Sequence, residues 1–341
     1  MNYRALLEWF EREGVAYPWG EDSSPYRVWI SEVMLQQTVV TAVVPFFKRW
    51  MDRFPTLEEL ALCEEGEVLR HWEGLGYYSR ARNILKTAKI LQEERGGQFP
   101  CDYKELVSLP GIGDYTASAL LSISFGINRP VIDANVKRIC QRLGAHSEWD
   151  KERESLWRER LDGIIADSEN PGLFNGALMQ LGQLVCRTGT PDCASCPLSG
   201  DCLAYKQNIA HTIPVKKKRE KVELTSRVRI YTREGNKGLS YWIIQRNEGI
   251  GRGLWTFPRE DAEITIAEGW ESVASLKERV HNYTKYKETL KPEIQKWIGK
   301  GKEILPPGAY REGEGFWASA GELAVLATPA VYRKIINELI T

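Results

Sequence analysis

The chain has 341 residues, enough for two domains of ordinary size. With 43% hydrophobic and 27% charged residues it reads as globular rather than disordered, and no run of about 18 apolar residues offers a membrane span. Lys plus Arg and Asp plus Glu are each 46, so bulk charge excludes a generally basic nucleic-acid binder; any such contact must be a local patch.

In chain order, the start MNYRALLEWFEREG is amphipathic with early acids and lacks the basic start, apolar core and cleavage site of a signal peptide, so a cytoplasmic protein is expected, nuclear if the source has a nucleus. Helical spacing of apolar residues continues through SEVMLQQTVVTAVVPFFKRW, EVLRHW, RARNILKTAKILQEE, TASALLSISF, NVKRICQRLG and FNGALMQLGQLVC. Pro214 and the run Lys216, Lys217, Lys218 and Arg219 then read as a solvated basic linker over 211–224. Beyond it RVRIYT and LSYWIIQR read as strands joined by a hairpin turn at REGNKG, SVASLKERV as a helix, KYKETLK as a strand and AVYRKIINELI as a closing helix. The expected organisation is a mainly α domain over 1–210, the linker, and a smaller α+β domain over 225–341.

Cys63, Cys101 and Cys140 are scattered and read as buried free thiols, whereas Cys186, Cys193, Cys196 and Cys202 follow C-x6-C-x2-C-x5-C. Four thiolates so close in sequence can share one metal centre. Only one C-x2-C pair is present where a zinc ribbon brings two, and an iron–sulfur cubane tolerates uneven loops; structural zinc is the alternative. Disulfides are disfavoured in a reducing compartment.

In LPGIGDYTASALL, Gly111 and Gly113 shape a turn before a helix and Tyr115 stands at the helix mouth. Amides at such a helix start suit a phosphate; a plain interhelical turn is the alternative. Further on, VIDANVKR sets Asp133 at a helix start, where an N-cap is its ordinary role, with Asn135, Lys137 and Arg138 behind it.

LPGIGDYTA, VIDANVKR and the cysteine spacing, in this order, resemble the helix-hairpin-helix DNA glycosylases of the endonuclease III superfamily. PWG, SPYRVWISEVMLQQT and GLGYYSRARN resemble its MutY branch of adenine DNA glycosylases, from about Trp9 to Leu203, and GRGLWTFP with FWASAGELAVLATPAVYRKI resembles that branch's Nudix-like domain. The resemblance implies a monofunctional glycosylase of base excision repair, monomeric, removing adenine mispaired with 8-oxoguanine or guanine from double-stranded DNA, with one [4Fe-4S] cluster on Cys186, Cys193, Cys196 and Cys202. It implies Glu32 as the acid toward the base and Asp133 as the anion near the sugar, with Tyr115 and Asn135 supporting them. Relatives that cut the strand carry a lysine where Tyr115 stands, so water is the expected acceptor. Apolar neighbours of Glu32 (Ile30, Val33, Met34, Leu35) suggest a raised pKa. Gln37 and Tyr77 would fill the vacated stack, although the apolar GLGYY also suits a core tyrosine. Gly111, Gly113 and Lys137 would meet phosphates, and Trp19, Gly20, Leu35 and Gly176 would line the base pocket.

The sequence departs from the branch at several points. Gly20 and Gly176 replace polar side chains that help read adenine, leaving a roomier pocket or one filled by others such as Gln180. D-A-N replaces D-G-N, which a helical backbone at Ala134 would tolerate. Tyr283, Thr284 and Lys285 stand where an F-S-H loop reads 8-oxoguanine. No hydrolytic Nudix box is present, so nucleotide hydrolysis is not expected there.

Overall fold

The computed structural model describes residues 1–215, 220–235, 238–260, 269–299 and 315–340. The basic run 216–219 lies outside them. Cys63 and Cys140 are buried as expected, whereas Cys101 is exposed. The chain packs as two compact units, Met1–Ala61 with Lys86–Lys217, and Leu62–Leu85 with Lys218–Thr341. The segment Leu62–Leu85, which its helical texture assigns to the first domain, thus packs with the second unit.

The helices in chain order are α1 Tyr3–Glu13, α2 Pro25–Leu35, α3 Val40–Arg53, α4 Leu57–Ala61, α5 Glu65–His71, α6 Ser79–Arg95, α7 Tyr103–Ser108, α8 Asp114–Ala119, α9 Ala134–Leu143, α10 Lys151–Asp167, α11 Pro171–Leu184, α12 Leu203–Lys206, α13 Ala320–Val325 and α14 Ala330–Ile340. Side-chain caps start several of them: Asn2 for α1, Asp102 for α7, Asp150 for α10 and Asn170 for α11 each accept from a backbone N–H three residues on, satisfying a donor the helix cannot. The apolar run SEVMLQQTVV is not one helix. α2 ends at Leu35 and Gln37 adopts φ +59°, which no helix continues through. The run TASALLSISF also changes pitch, opening into a wide turn over Leu120–Ser124 after α8.

In the first unit α1, α9, α10 and α11 share one core: Leu6 and Trp9 pack with Val136 and Ile139, Trp157 and Leu161, and Phe174, Leu178 and Leu181. Close approach of α9 and α11 needs Gly182, where a Cβ would stand 2.5 Å from the Cβ of Asn135.

The second unit holds one sheet built from β1 Val222–Gly235, β2 Gly238–Gln245, β3 Trp255–Thr256, β4 Arg259–Glu260, β5 Trp270–Ser275, β6 Arg279–Tyr283, β7 Tyr286–Trp297 and β8 Gly315–Ser319. Its main order is β3-β2-β1-β7-β5, with β1 and β7 parallel from Val222↔Tyr286 to Thr232↔Lys296. Val331, Ile335 and Ile336 of α14 cover one face over Val228, Ile230 and Leu290. SVASLKERV corrects the sequence expectation: it forms parts of β5 and β6, both paired with β7. Its Ala, Leu, Lys, Glu and Arg favour a helix locally, but pairing with a twelve-residue strand outweighs that preference.

Candidate active site

Three elements of the first unit meet at one cavity of about 810 Å³. α2 contributes Glu32, α8 contributes Tyr115, and the start of α9 contributes Asp133 and Asn135. Trp19, Gly20, Leu35 and Gly176, expected at the base, line the same cavity. The sequence positions are spread from Trp19 to Gly176, so the fold alone assembles them.

α2 is buried on nearly every side, which carries Glu32 inward to 4% exposure. Burial pushes its carboxyl up to about 7; the Tyr115 hydroxyl, which donates to Glu32 Oε2, opposes this, and the nearby Asp133 charge adds to it. The Tyr115 hydroxyl, raised well above its ordinary value by burial and by the two carboxylates, stays a proton donor. It also lies 3.8 Å from the Met179 sulfur.

Asp133 is both helix cap and cavity wall. Its Oδ1 accepts from Val136 N at 2.7 Å and its Oδ2 from Asn135 Nδ2 at 2.8 Å. Burial raises its pKa, and these hydrogen bonds hold the rise in check. Asn135 in turn accepts from Arg138 at 2.8 Å. Ala134 is the first residue of α9, a helical position that accepts a methyl group without strain.

The turn before Tyr115 is fixed from outside the cavity. Gly111 adopts φ +78°, and Asp114 accepts from Tyr103 at 2.9 Å, Arg129 at 3.1 Å and Arg158 at 2.8 Å. Gly111 and Gly113 are exposed. Lys137 is directed to α10, where its ammonium pairs with Glu154 at 3.2 Å.

The pocket is open where the sequence has glycine. A Cβ at Gly20 would meet nothing within 4 Å and one at Gly176 only Phe10, at 3.9 Å. Gln180 does not fill the gap: its amide is used at both ends, accepting from Val15 N at 2.8 Å and donating to Val15 O at 2.9 Å. Trp19 stacks on Tyr17 with ring centroids 4.9 Å apart. The sequence reading missed Gln183, which lines the cavity and whose buried Oε1 has no partner among the described residues. Its position on the α11 face that carries Gly176, Met179 and Gln180, three or four residues apart, was the available signal.

Gln37, Tyr77 and Thr284 share a feature that the sequence did not announce. All have left-handed backbone, at φ +59°, +47° and +48°. Such angles are uncommon for side chains of this size and persist where surroundings impose them. Gln37 is exposed between α2 and α3, and Tyr77 exposes 47% of its surface on the segment of the second unit. Thr284 and Lys285 turn the β6–β7 hairpin, closed by the pair Tyr283↔Tyr286. Beneath it Glu288, also missed in the sequence, accepts from Tyr283 at 2.9 Å, Ser226 at 2.6 Å and Arg259 at 2.8 Å. Burial alone would raise the Glu288 carboxyl, but the Ser226 hydroxyl and Arg259 charge hold it below the ordinary range.

Cys186, Cys193, Cys196 and Cys202 all line one small cavity of about 20 Å³ and none forms a disulfide. Arg142 closes its wall, donating to the Cys186 sulfur at 3.2 Å, while the Cys202 thiol donates to Arg142 O at 3.4 Å. Among the described residues no three such side chains close on a single ion. All four are thiols lining one space, which is the donor chemistry an iron–sulfur centre uses.

Residues 30–161 match the HhH-GPD superfamily of base excision DNA repair proteins. Endonuclease III in a non-covalent DNA complex is similar at 26% identity and TM-score 0.51, covering 60% of this chain and 95% of that one. Its trapped covalent intermediate with DNA gives 27% identity and the same score, over 60% and 96%. The fold and the family match therefore define a helix-hairpin-helix DNA repair glycosylase. Adenine DNA glycosylase of Buchnera aphidicola (Schizaphis graminum) is 38% identical over 269 residues, 77% of this chain and 76% of that one, and the Homo sapiens enzyme is 40% identical over 215 residues, 60% and 39%. The chain belongs to the adenine DNA glycosylase family.

Proposed function

We propose that the protein binds double-stranded DNA and hydrolyses the N-glycosidic bond of an extruded adenine mispaired with 8-oxoguanine or guanine, without cutting the strand. The observation that carries this reading is the Glu32 carboxyl, held by the Tyr115 hydroxyl and facing the same cavity as Asp133. With its pKa raised to about 7, Glu32 keeps a proton to give to the departing base near neutral pH. Asp133, held as an anion by Val136 N and Asn135, stabilises positive charge developing on the sugar. Glu32, once deprotonated, accepts a proton from the water that completes hydrolysis. Tyr115 offers no amine to attack the sugar, which supports base removal alone.

Gln37 and Tyr77 act as wedges that fill and open the stack, Gly111, Gly113 and, on exchanging Glu154 for DNA, Lys137 contact phosphates, and the Tyr283-Thr284-Lys285 turn reads the opposite base. The sheet unit is the Nudix-like domain of this family. Cys186, Cys193, Cys196 and Cys202 hold a [4Fe-4S] cluster, whose bonds to iron cross-link the loop when it is bound.

The test is excision from duplexes varying target and opposite base, with Asp133→Asn beside the wild type. Release of adenine opposite 8-oxoguanine or guanine, abolished by Asp133→Asn with duplex affinity retained, is the expected result; unchanged release by Asp133→Asn refutes its role, and duplex binding with no base released by the wild type refutes catalysis. The open space at Gly20 and Gly176 favours a second reading, in which a larger or modified base is the target. Release of such a base with adenine left intact would select it.

A further inference from the structure

Arg333 on α14 makes contacts in two directions. Its Nε and Nη2 grip both oxygens of Glu73, at 2.7 and 3.1 Å. Its Nη1 donates to the carbonyls of Leu323 and Ala324, at 3.0 and 3.2 Å, at the end of α13. The Thr328 backbone joins the same knot: its N–H donates to Glu73 Oε2 at 3.3 Å, and its carbonyl accepts from the Tyr78 hydroxyl at 3.2 Å. Glu73 and Tyr78 are the two ends of a short turn, and Tyr77 lies inside it.

That turn is backbone-strained. Gly74, Gly76 and Tyr77 have φ of +104°, +71° and +47°, and only glycine takes such angles freely. From within, the turn is held by Trp72 Nε1 donating to Gly76 O at 2.9 Å and by the Arg80 guanidinium 5.7 Å from the Tyr77 ring. From outside, it is held by residues 323–333, about 250 positions later in the chain. A half-exposed aromatic ring on left-handed backbone is therefore presented by a clamp that the C-terminal segment supplies.

We infer that Arg333 is a positioning residue for Tyr77, so that the C-terminal segment sets how this ring enters the duplex. The inference rests on Tyr77 acting as a wedge. A ring that must pass between stacked bases needs a fixed direction, because unstacking a step costs a few kcal/mol that a swinging side chain cannot concentrate on one step. The Glu73–Arg333 grip, bidentate and largely shielded by its carbonyl partners, supplies that direction.

The test uses the full chain and a duplex with 2-aminopurine beside the target adenine, whose fluorescence rises on unstacking. Arg333→Ala is expected to slow the rise and single-turnover excision roughly tenfold. A duplex whose target adenine faces an abasic site has no opposing base to part, and excision there should keep its wild-type rate. Arg333→Lys and Glu73→Gln, which disturb folding less, should slow the rise by a smaller factor in the same direction. Tyr77→Ala should match Arg333→Ala, and the double variant should be no slower than Tyr77→Ala alone. A wild-type rise in all three clamp variants, equal slowing on the abasic-facing duplex, or full additivity with Tyr77→Ala would overturn the inference. A wild-type rise in Tyr77→Ala instead removes the wedge reading itself.

Discussion

The pairing of Tyr115 with Glu32 makes a pH profile diagnostic. The proposed mechanism needs Glu32 protonated and Asp133 ionised, so excision should fall below the raised pKa of Asp133 and again above about 7, as Glu32 loses its proton. Because the two carboxyls face one cavity, the limbs report the pair. The Tyr115 hydrogen bond favours the Glu32 anion, so Tyr115→Phe should move the alkaline limb to higher pH, seen in single-turnover rates across pH. The same group affects stability. The folded chain holds the Glu32 proton up to about 7 and the unfolded chain releases it near the ordinary 4.5. The folded state thus binds the extra proton across that window, and stability falls as pH rises through it, by on the order of 3 kcal/mol. Glu32→Gln should flatten that part of the denaturation midpoint's pH dependence while lowering turnover at least about a hundredfold. Of these features the sequence revealed the residue and its apolar neighbours; the phenol bonded to it lies 83 positions away and required the fold.

At the scale of elements, α9 is capped by Asp133, the residue to which the proposed mechanism gives the anionic role. Asparagine caps a helix about as well as aspartate, so Asp133→Asn should change stability by less than about 0.5 kcal/mol, whereas Asp133→Ala should cost about 1 kcal/mol. Both should lose turnover, which separates the cap from the charge; thermal melts and excision rates measure the two effects. The spacing of α9 and α11 depends on Gly182. Gly182→Ala puts a methyl into Asn135, which holds Asp133, and should cost about 1–3 kcal/mol with a roughly tenfold slower excision step. Helix periodicity made most elements of the first unit legible. It failed at Gln37, where apolar spacing runs on across a left-handed break, and at SVASLKERV, where the partner strand decides and local propensity does not.

Over the whole molecule, the cysteine loop ties together distant parts of the first unit. Asp201 accepts from Asn2 N at 2.6 Å near the chain start, and Arg142, which touches two of the four cysteines, donates to Ile213 O at 2.9 Å. Cys196→Ser should therefore lower iron content and Tm together and expose the chain start to proteolysis, checked by iron assay, thermal melts and limited digestion. The change of texture after Leu224 made the sheet unit legible. The excursion of Leu62–Leu85 into that unit was not, because its helical pattern carries no mark of partners some 250 residues away. That excursion also sets an order on biosynthesis. A chain still on the ribosome can bring Glu32, Tyr115 and Asp133 to their cavity before α14 emerges, but the turn bearing Tyr77 lacks its clamp until Arg333 has been made. A helix translated some 250 residues later thus finishes the turn at 73–78, and a chain cut short before Arg333 keeps Glu32, Tyr115 and Asp133 but leaves its Tyr77 turn unclamped.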